Sequence, residues 1–354
     1  MPDHPFRTIQ GHPNDQNVSR REFVRNVSTA TVAGLAACTS LPNVLRAAEP
    51  GQGKPSEPTP ENYVQKLYES LTPEQRKVVW FDWDHTDKRG LLRTHVDANW
   101  SITEPVISSR FFTADQQELI EAIFFKLYNP DWHARIRKQL QDDAGGYGRK
   151  QSIALFGHPG QGKFQFVMTG RHLTIRCDGD SADHVAFGGP IFYGHAAQGF
   201  DERPDHPGNV FWEQALKANQ LYKMLDGKQR KVALIAEAPD ESEVQFRGGT
   251  AEIPGLPVSD LSPDQQEQIQ KVLFNLVEPY RQGDRGDAIK SLAPRGGLAA
   301  CRIAFYQSDD IGNDGVWDNW RLEGPSFVWH FRGAPHVHVW VNVSDDPTVK
   351  ISTS

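Results

Sequence analysis

The chain says nearly the same thing twice. Residues 113–130 read TADQQELIEAIFFKLYNP and residues 262–279 read SPDQQEQIQKVLFNLVEP, sharing DQQE and then Ile, Phe, Leu and Pro at one spacing. QRKV at 75–78 returns at 229–232, IALF at 153–156 returns as IAFY at 303–306, and FQFVMTGRH at 164–172 returns with one added residue as FVWHFRGAPH at 327–336. Four matched segments in one order predict an internal duplication. The expected class is α+β: two pseudo-symmetric copies of a helix-plus-antiparallel-hairpin unit, residues 61–208 and 209–354, packed as one compact protein.

Local signals fill in the unit. Residues 61–70 and 73–80 read as helices, the second opened by Thr72, Pro73 and Glu74 as cap, first-turn proline and early acid. Thr113 caps a helix to about residue 128, with Leu119, Ile120, Ile123, Phe124 and Leu127 on one face. Ser262-Pro263-Asp264 opens its counterpart, and a further helix spans 209–225. Residues 152–157, 164–169 and 172–177 read as an antiparallel meander, and 301–306, 326–332 and 336–343 as another.

Each meander carries histidine beside its turn. If Phe327, Trp329 and Phe331 face the core with Val337, Val339 and Val341, the pairs are 331:337, 329:339 and 327:341. His330 then lies opposite His338 at about 5 Å between Cβ atoms, and Arg332 opposite His336. The same rule applied to Phe164, Phe166 and Met168 against Leu173, Ile175 and Cys177 puts Gly170-Arg171 in the turn and His172 at the strand start. Convergence of the two turns would bring His172, His330, His336 and His338 to one cleft, with His195 as an added candidate. Neutral imidazoles are the commonest protein ligands of copper, zinc and iron, so a transition metal is the expected cofactor. A solvated histidine pair beside Arg332, binding nothing, is the plain alternative.

Weaker candidates are the carboxylates of Asp82, Asp84 and Asp87 with His85, whose spacing fits no calcium loop, and Glu323 as an acid or base. The stretch Gly157-His158-Pro159-Gly160-Gln161-Gly162-Lys163 resembles a phosphate-binding loop up to its lysine, but Phe164 stands where Ser or Thr would hold magnesium, and it joins two strands. It reads as a hairpin turn.

The totals narrow the class. Across 354 residues the formal charge is −7, and without a long basic run this argues against a nucleic-acid partner. No apolar stretch of about 18 residues follows the N-terminus, so no membrane span is expected in the mature chain. Ser19-Arg20-Arg21-Glu22-Phe23-Val24, a weakly apolar run from Val27 to Ala37 and the small pair Ala47-Ala48 resemble a twin-arginine export signal over residues 1–48. Leu35-Ala36-Ala37-Cys38 offers an alternative ending with a lipid anchor on Cys38. Residues 49–60, with four prolines, read as a linker. Export to the periplasm or medium would also permit one disulfide between Cys177 and Cys301.

Taken together, the turn after IALFG, FQFVMTGRHL, FGGPIFYG and the QRKV helix resemble the secreted bacterial family filed as domain of unknown function 3500, over most of residues 61–343. The family often shows Gly-His-His-Leu where this chain has Gly170-Arg171-His172-Leu173, so only His172 carries over. The resemblance implies an exported protein and supplies no substrate. Two functions stay open: a metal-dependent enzyme, hydrolytic or oxidative, acting on a small molecule, or a non-catalytic protein holding a metal or small ligand.

Overall fold

A computed structural model describes residues 57–197, 208–241, 243–246 and 252–349. The expected export signal, Cys38 and the linker as far as residue 56 lie outside the described residues. Helices α1 (Pro60–Ser70) and α2 (Pro73–Val79) lead straight into β1 (Trp80–Phe81). A small hairpin, β2 (Thr86–Asp87) and β3 (Gly90–Leu91), precedes α3 (Ala114–Lys126) and α4 (His133–Ala144). Strands β4 (Ser152–Gly157), β5 (Phe164–Gly170), β6 (Leu173–Cys177) and β7 (Ile191–His195) follow. The chain continues through α5 (Trp212–Met224), α6 (Gly227–Ala233), β8 (Leu234–Ile235), β9 (Leu256–Pro257), α7 (Pro263–Val277) and α8 (Gln282–Leu292). It closes with β10 (Arg302–Tyr306), β11 (Asn319–Gly324), β12 (Phe327–Arg332) and β13 (Val337–Val343).

The helix starts are built alike because their sequences are. Thr72, Thr113, Asp226 and Ser262 each form a capping box with the glutamine three residues on, which satisfies backbone N–H groups that a helix end leaves unpaired. The capping glutamines then meet in pairs. Gln75 and Gln116 exchange side-chain hydrogen bonds at 2.8 and 3.0 Å, and Gln229 and Gln265 do so at 2.9 Å both ways. The DQQE signature therefore fixes how consecutive helices dock as well as where they start.

Apart from the separate β2–β3 hairpin, the strands form one mixed sheet in the order β1-β4-β5-β6-β7-β13-β12-β11-β10-β8, with β9 beside β10. The ladder is antiparallel except where β1 runs parallel to β4 and β8 parallel to β10, a mixture that the antiparallel expectation did not include. One face is apolar and buried under the helices: Ile153, Phe166, Met168, Ile175, Tyr193, Val339, Trp329, Phe331, Trp320 and Phe305 belong to this core. The other face is buried too but largely polar. Gln165, Thr169, Thr174, Arg176, Asn342, His330, Arg321 and Glu323 lie on it. Two smaller apolar clusters cover it, one drawing on Leu92 and Ile102, the other on Val96 and Val244. A face of this kind is tolerated only where its groups find partners.

Both hairpin registers differ from expectation by two residues. The observed pairs are 327:343, 329:341 and 331:339, and 166:177, 168:175 and 170:173. A slide of two keeps every side chain on its face, so apolar alternation fixes the face and leaves this register open. After β12, Gly333 N–H donates to Asp318 O and Asn319 Oδ1, both at 3.0 Å, which ties the chain leaving β12 to β11. In the observed register His330 faces Trp340 rather than His338, and Arg332 faces His338 rather than His336. The matched hairpins also occupy different places. Counted inward from the two sheet edges, β5 and β6 are third and fourth, whereas β12 and β13 are fourth and fifth.

Candidate metal centre

The two-residue turn between β5 and β6 is Arg171-His172, with His172 at φ 54° in the left-handed region. Its N–H donates to Ala98 O at 2.9 Å, which holds the turn under the segment covering the polar face. Strand β13 lies between β7 and β12, so His338 pairs with Gly194 on one side and Arg332 on the other. Gly194 is required here: a Cβ on it would sit 2.2 Å from Val337 O and 3.4 Å from His172 Cδ2. Its absence lets β7 close on β13 and the His172 ring reach across.

The outcome is a three-histidine cluster. His338 Nε2 lies 3.1 Å from His172 Nε2 and 3.0 Å from His336 Nε2. One ligand nitrogen from each residue falls within 4.8 Å of the other two. The residues expose little: 3% for His172 and 6% for His336, with 12% of the His338 side chain.

Carboxylates back two of the rings. His338 Nδ1 lies 2.8 Å from Glu241 Oε2, which also accepts from Trp340 Nε1 at 2.9 Å, while Glu241 Oε1 pairs with Arg332. Burial works to raise the Glu241 pKa, but His338, Arg332 and Trp340 outweigh it and hold it down to about 2. Burial pushes His338 the other way, down to about 3, against the pull of Glu241. His172 Nδ1 lies 3.0 Å from Asp143 Oδ2. Asp143 accepts hydrogen bonds from Gln139 Nε2 at 2.8 Å and Ala196 N at 3.1 Å. Burial raises its pKa, yet these partners keep it below the ordinary carboxylate value.

At His338 the Glu241 carboxylate on Nδ1 favours the proton there and leaves the lone pair on Nε2; His172 Nδ1 lies near Asp143 without making a hydrogen bond to it. The His338 Nε2 lone pair then faces His172 Nε2 at 3.1 Å and His336 Nε2 at 3.0 Å. Nitrogens bound at about 2.0–2.1 Å around a tetrahedral ion stand about 3.3 Å apart, close to the observed spacing.

The other two candidates lie in different surroundings. His195 Nδ1 accepts from Val210 N–H at 3.1 Å and Nε2 lies 2.9 Å from Asp142 Oδ2, so both ring nitrogens hold local backbone and helix α4 in place. His330 shares the face of His338, but its Nδ1 accepts from Arg321 Nε at 3.2 Å, and burial with Arg321 pushes its pKa well below the usual value. Glu323 lies beside Arg321 with 3.5 Å between them. Asp82, Asp84 and Asp87 are exposed around the β2–β3 hairpin, where Asp87 pairs with Arg89. Cys177 and Cys301 are free and buried thiols. Asp143 and Glu241 escaped the sequence reading. Asp143 lies in an ordinary helix end, Asp142-Asp143-Ala144-Gly145, and Glu241 in a run of acids and proline; neither stretch has a spacing that signals a histidine partner.

The model of a family described as protein of unknown function (DUF3500) matches residues 61–341. No curated protein and no solved structure matches the chain. Among the described residues, no helix is long and apolar enough to cross a membrane.

Proposed function

The chain belongs to the DUF3500 family, whose description assigns no activity, and from that premise we propose that it is an exported, metal-dependent enzyme centred on His172, His336 and His338. The observation that carries this reading is the convergence of three imidazoles, with His338 Nε2 at 3.1 Å from His172 Nε2 and 3.0 Å from His336 Nε2, and with a carboxylate within 3.0 Å of Nδ1 on two of the rings. Three imidazoles suit zinc, copper or iron and leave coordination positions for a substrate. A metal held there would polarise a small-molecule substrate or activate water or dioxygen, which are the hydrolytic and oxidative alternatives. Glu241 and Asp143 are positioning residues that aim His338 and His172.

The small exposure of His172 and His336 favours a second reading, a non-catalytic metal or small-ligand carrier. Metal analysis and exchange separate them. Protein purified from its native export route should carry about one transition metal ion per chain. A metal that accepts azide or cyanide as an added ligand supports the enzyme; a closed, inert site supports the carrier; a metal-free chain indifferent to added zinc, copper or iron ends both. Asp143→Asn should weaken metal affinity by roughly 10–100-fold, as outer-shell changes do, with His172 still in the chain. Unchanged affinity would remove Asp143 from this role.

Two further parts of the reading rest on sequence. Arg20-Arg21 and the small pair Ala47-Ala48 support twin-arginine export with residues 1–48 removed, and Cys38 offers the lipid-anchored variant. Replacing Arg20 and Arg21 with lysines should retain the protein in the cytoplasm; continued export would refute the route. A duplication with units 61–208 and 209–354 is supported by the QRKV, DQQE and IALF matches, which fall on α2 and α6, α3 and α7, and β4 and β10. The twin glutamine pairs support it as well. In that scheme the β5–β6 turn corresponds to the β11–β12 turn, so His172 and His336 meet across the β7–β13 border without being counterparts.

A further inference from the structure

A cleft of about 170 Å³ lies away from the three histidines in sequence and composition, walled by Trp83, Arg93, Lys163, Val185, Pro190 and Val349 among others. Its cation is unusual. The Arg93 guanidinium lies 4.2 Å from the Trp83 ring centroid, and Nε is buried. No side-chain nitrogen of Arg93 donates a hydrogen bond to any described residue. An arginine so held has its planar fork oriented and its donors unanswered.

The surroundings keep it that way. Arg176 is buried and donates to the carbonyls of Arg93 at 3.0 Å, His95 at 2.6 Å and Pro190. It therefore adds positive potential next to Arg93 and fixes the backbone that carries Arg93 and Pro190. Three carboxylates also act on Arg93: Asp84, Asp178 and Asp183. Asp183 is matched by Lys163 at 2.7 Å on the exposed side, and Asp178 is turned inward to accept from Ala182 N at 2.8 Å, its pKa raised by burial. None of the three bonds the Arg93 fork. Lys163 ends the glycine-rich turn whose likeness to a phosphate loop failed at Phe164; here its Nζ stands 5.9 Å from the Trp83 ring, at the same cleft.

We propose that this cleft is a binding site for a small organic carboxylate, with the Arg93 fork as its anion anchor and Trp83 as its wall. Oxyanions in general fit a guanidinium fork. The walls select among them: Trp83, Val185, Pro190 and Val349 offer apolar contact to an organic body that bare phosphate or sulfate lacks. The proposal is independent of the metal reading.

Titration of the mature protein by calorimetry with benzoate, acetate, phosphate and sulfate tests it. Benzoate should bind saturably and at least about 10-fold more tightly than phosphate or sulfate, a difference of about 1.4 kcal/mol. Arg93→Met retains an apolar stem over Trp83 and should lose benzoate binding by about 10-fold or more. Arg93→Lys retains charge without the fork and should lose most of it as well. His338→Ala should bind benzoate as the parent does, which separates this site from the metal centre. Absence of saturable benzoate binding, equal binding of phosphate, or parent-like binding by folded Arg93→Lys would each overturn the proposal. If Arg93→Met does not fold, the lysine variant decides the matter alone.

Discussion

His338→Ala is expected to strip the protein of its metal. His338 Nε2 lies within 3.1 Å of the Nε2 atoms of both other rings, so its removal leaves His172 and His336 without the nitrogen that bridges them. The loss should exceed the roughly 10–100-fold that outer-shell changes produce, and metal analysis after dialysis should read near zero. Glu241 would keep Trp340 and Arg332 as partners, so its carboxylate stays answered. The fold should therefore survive, at a cost of about 1–3 kcal/mol for the lost buried hydrogen bond. His330→Ala is the control: its ring answers Arg321, and metal content should hold. Full metal content in folded His338→Ala, read with circular dichroism and thermal melting, would sink the proposed centre.

Trp329→Ala should produce the largest loss of stability. Trp329 is fully buried on β12, stacks on Phe327 with centroids 6.0 Å apart, and donates from Nε1 to Tyr193 Oη at 3.0 Å. Tyr193 in turn donates to Gln214 Oε1 on α5 at 2.7 Å. This relay links β12, β7 and a helix through the apolar face. Truncation removes the ring and leaves a cavity, so about 3–5 kcal/mol should disappear from urea-denaturation stability. Trp329→Phe keeps most of the volume but drops the Nε1–H donor and should cost about 1–2 kcal/mol. Equal costs for the two would mean that the hydrogen bond, and not the packing, dominates this part of the core.

The helices were legible because their signals are local. Thr72-Pro73, Thr113 and Ser262-Pro263 state where α2, α3 and α7 begin, and the glutamine three residues after each cap docks its helix. Alternation in Phe327, Trp329 and Phe331 stated which face of β12 is core. It could not state the register, since sliding two residues costs nothing in that pattern. Strand β11 was not anticipated: its Asn319, Arg321 and Glu323 carry no apolar signal, yet they lie on a polar face that other chain segments bury. His172, His336 and His338 were visible as candidates because each lies at or beside a turn. Asp143 and Glu241 were not, because a carboxylate is recognisable as a histidine partner only once folding has brought it 2.8–3.0 Å from the ring.

The β7–β13 ladder has a consequence for how the chain comes apart. Five residue pairs, from Val337 with His195 to Val341 with Ile191, stitch the N-terminal strands to the C-terminal ones. Severing the peptide chain between residues 197 and 208 would leave each fragment with a long raw edge of unanswered N–H and C=O groups. Such fragments should find each other or precipitate, and a nicked protein should still melt in a single step. The imidazoles contributed from either side of that border would make any bound ion a rivet across it.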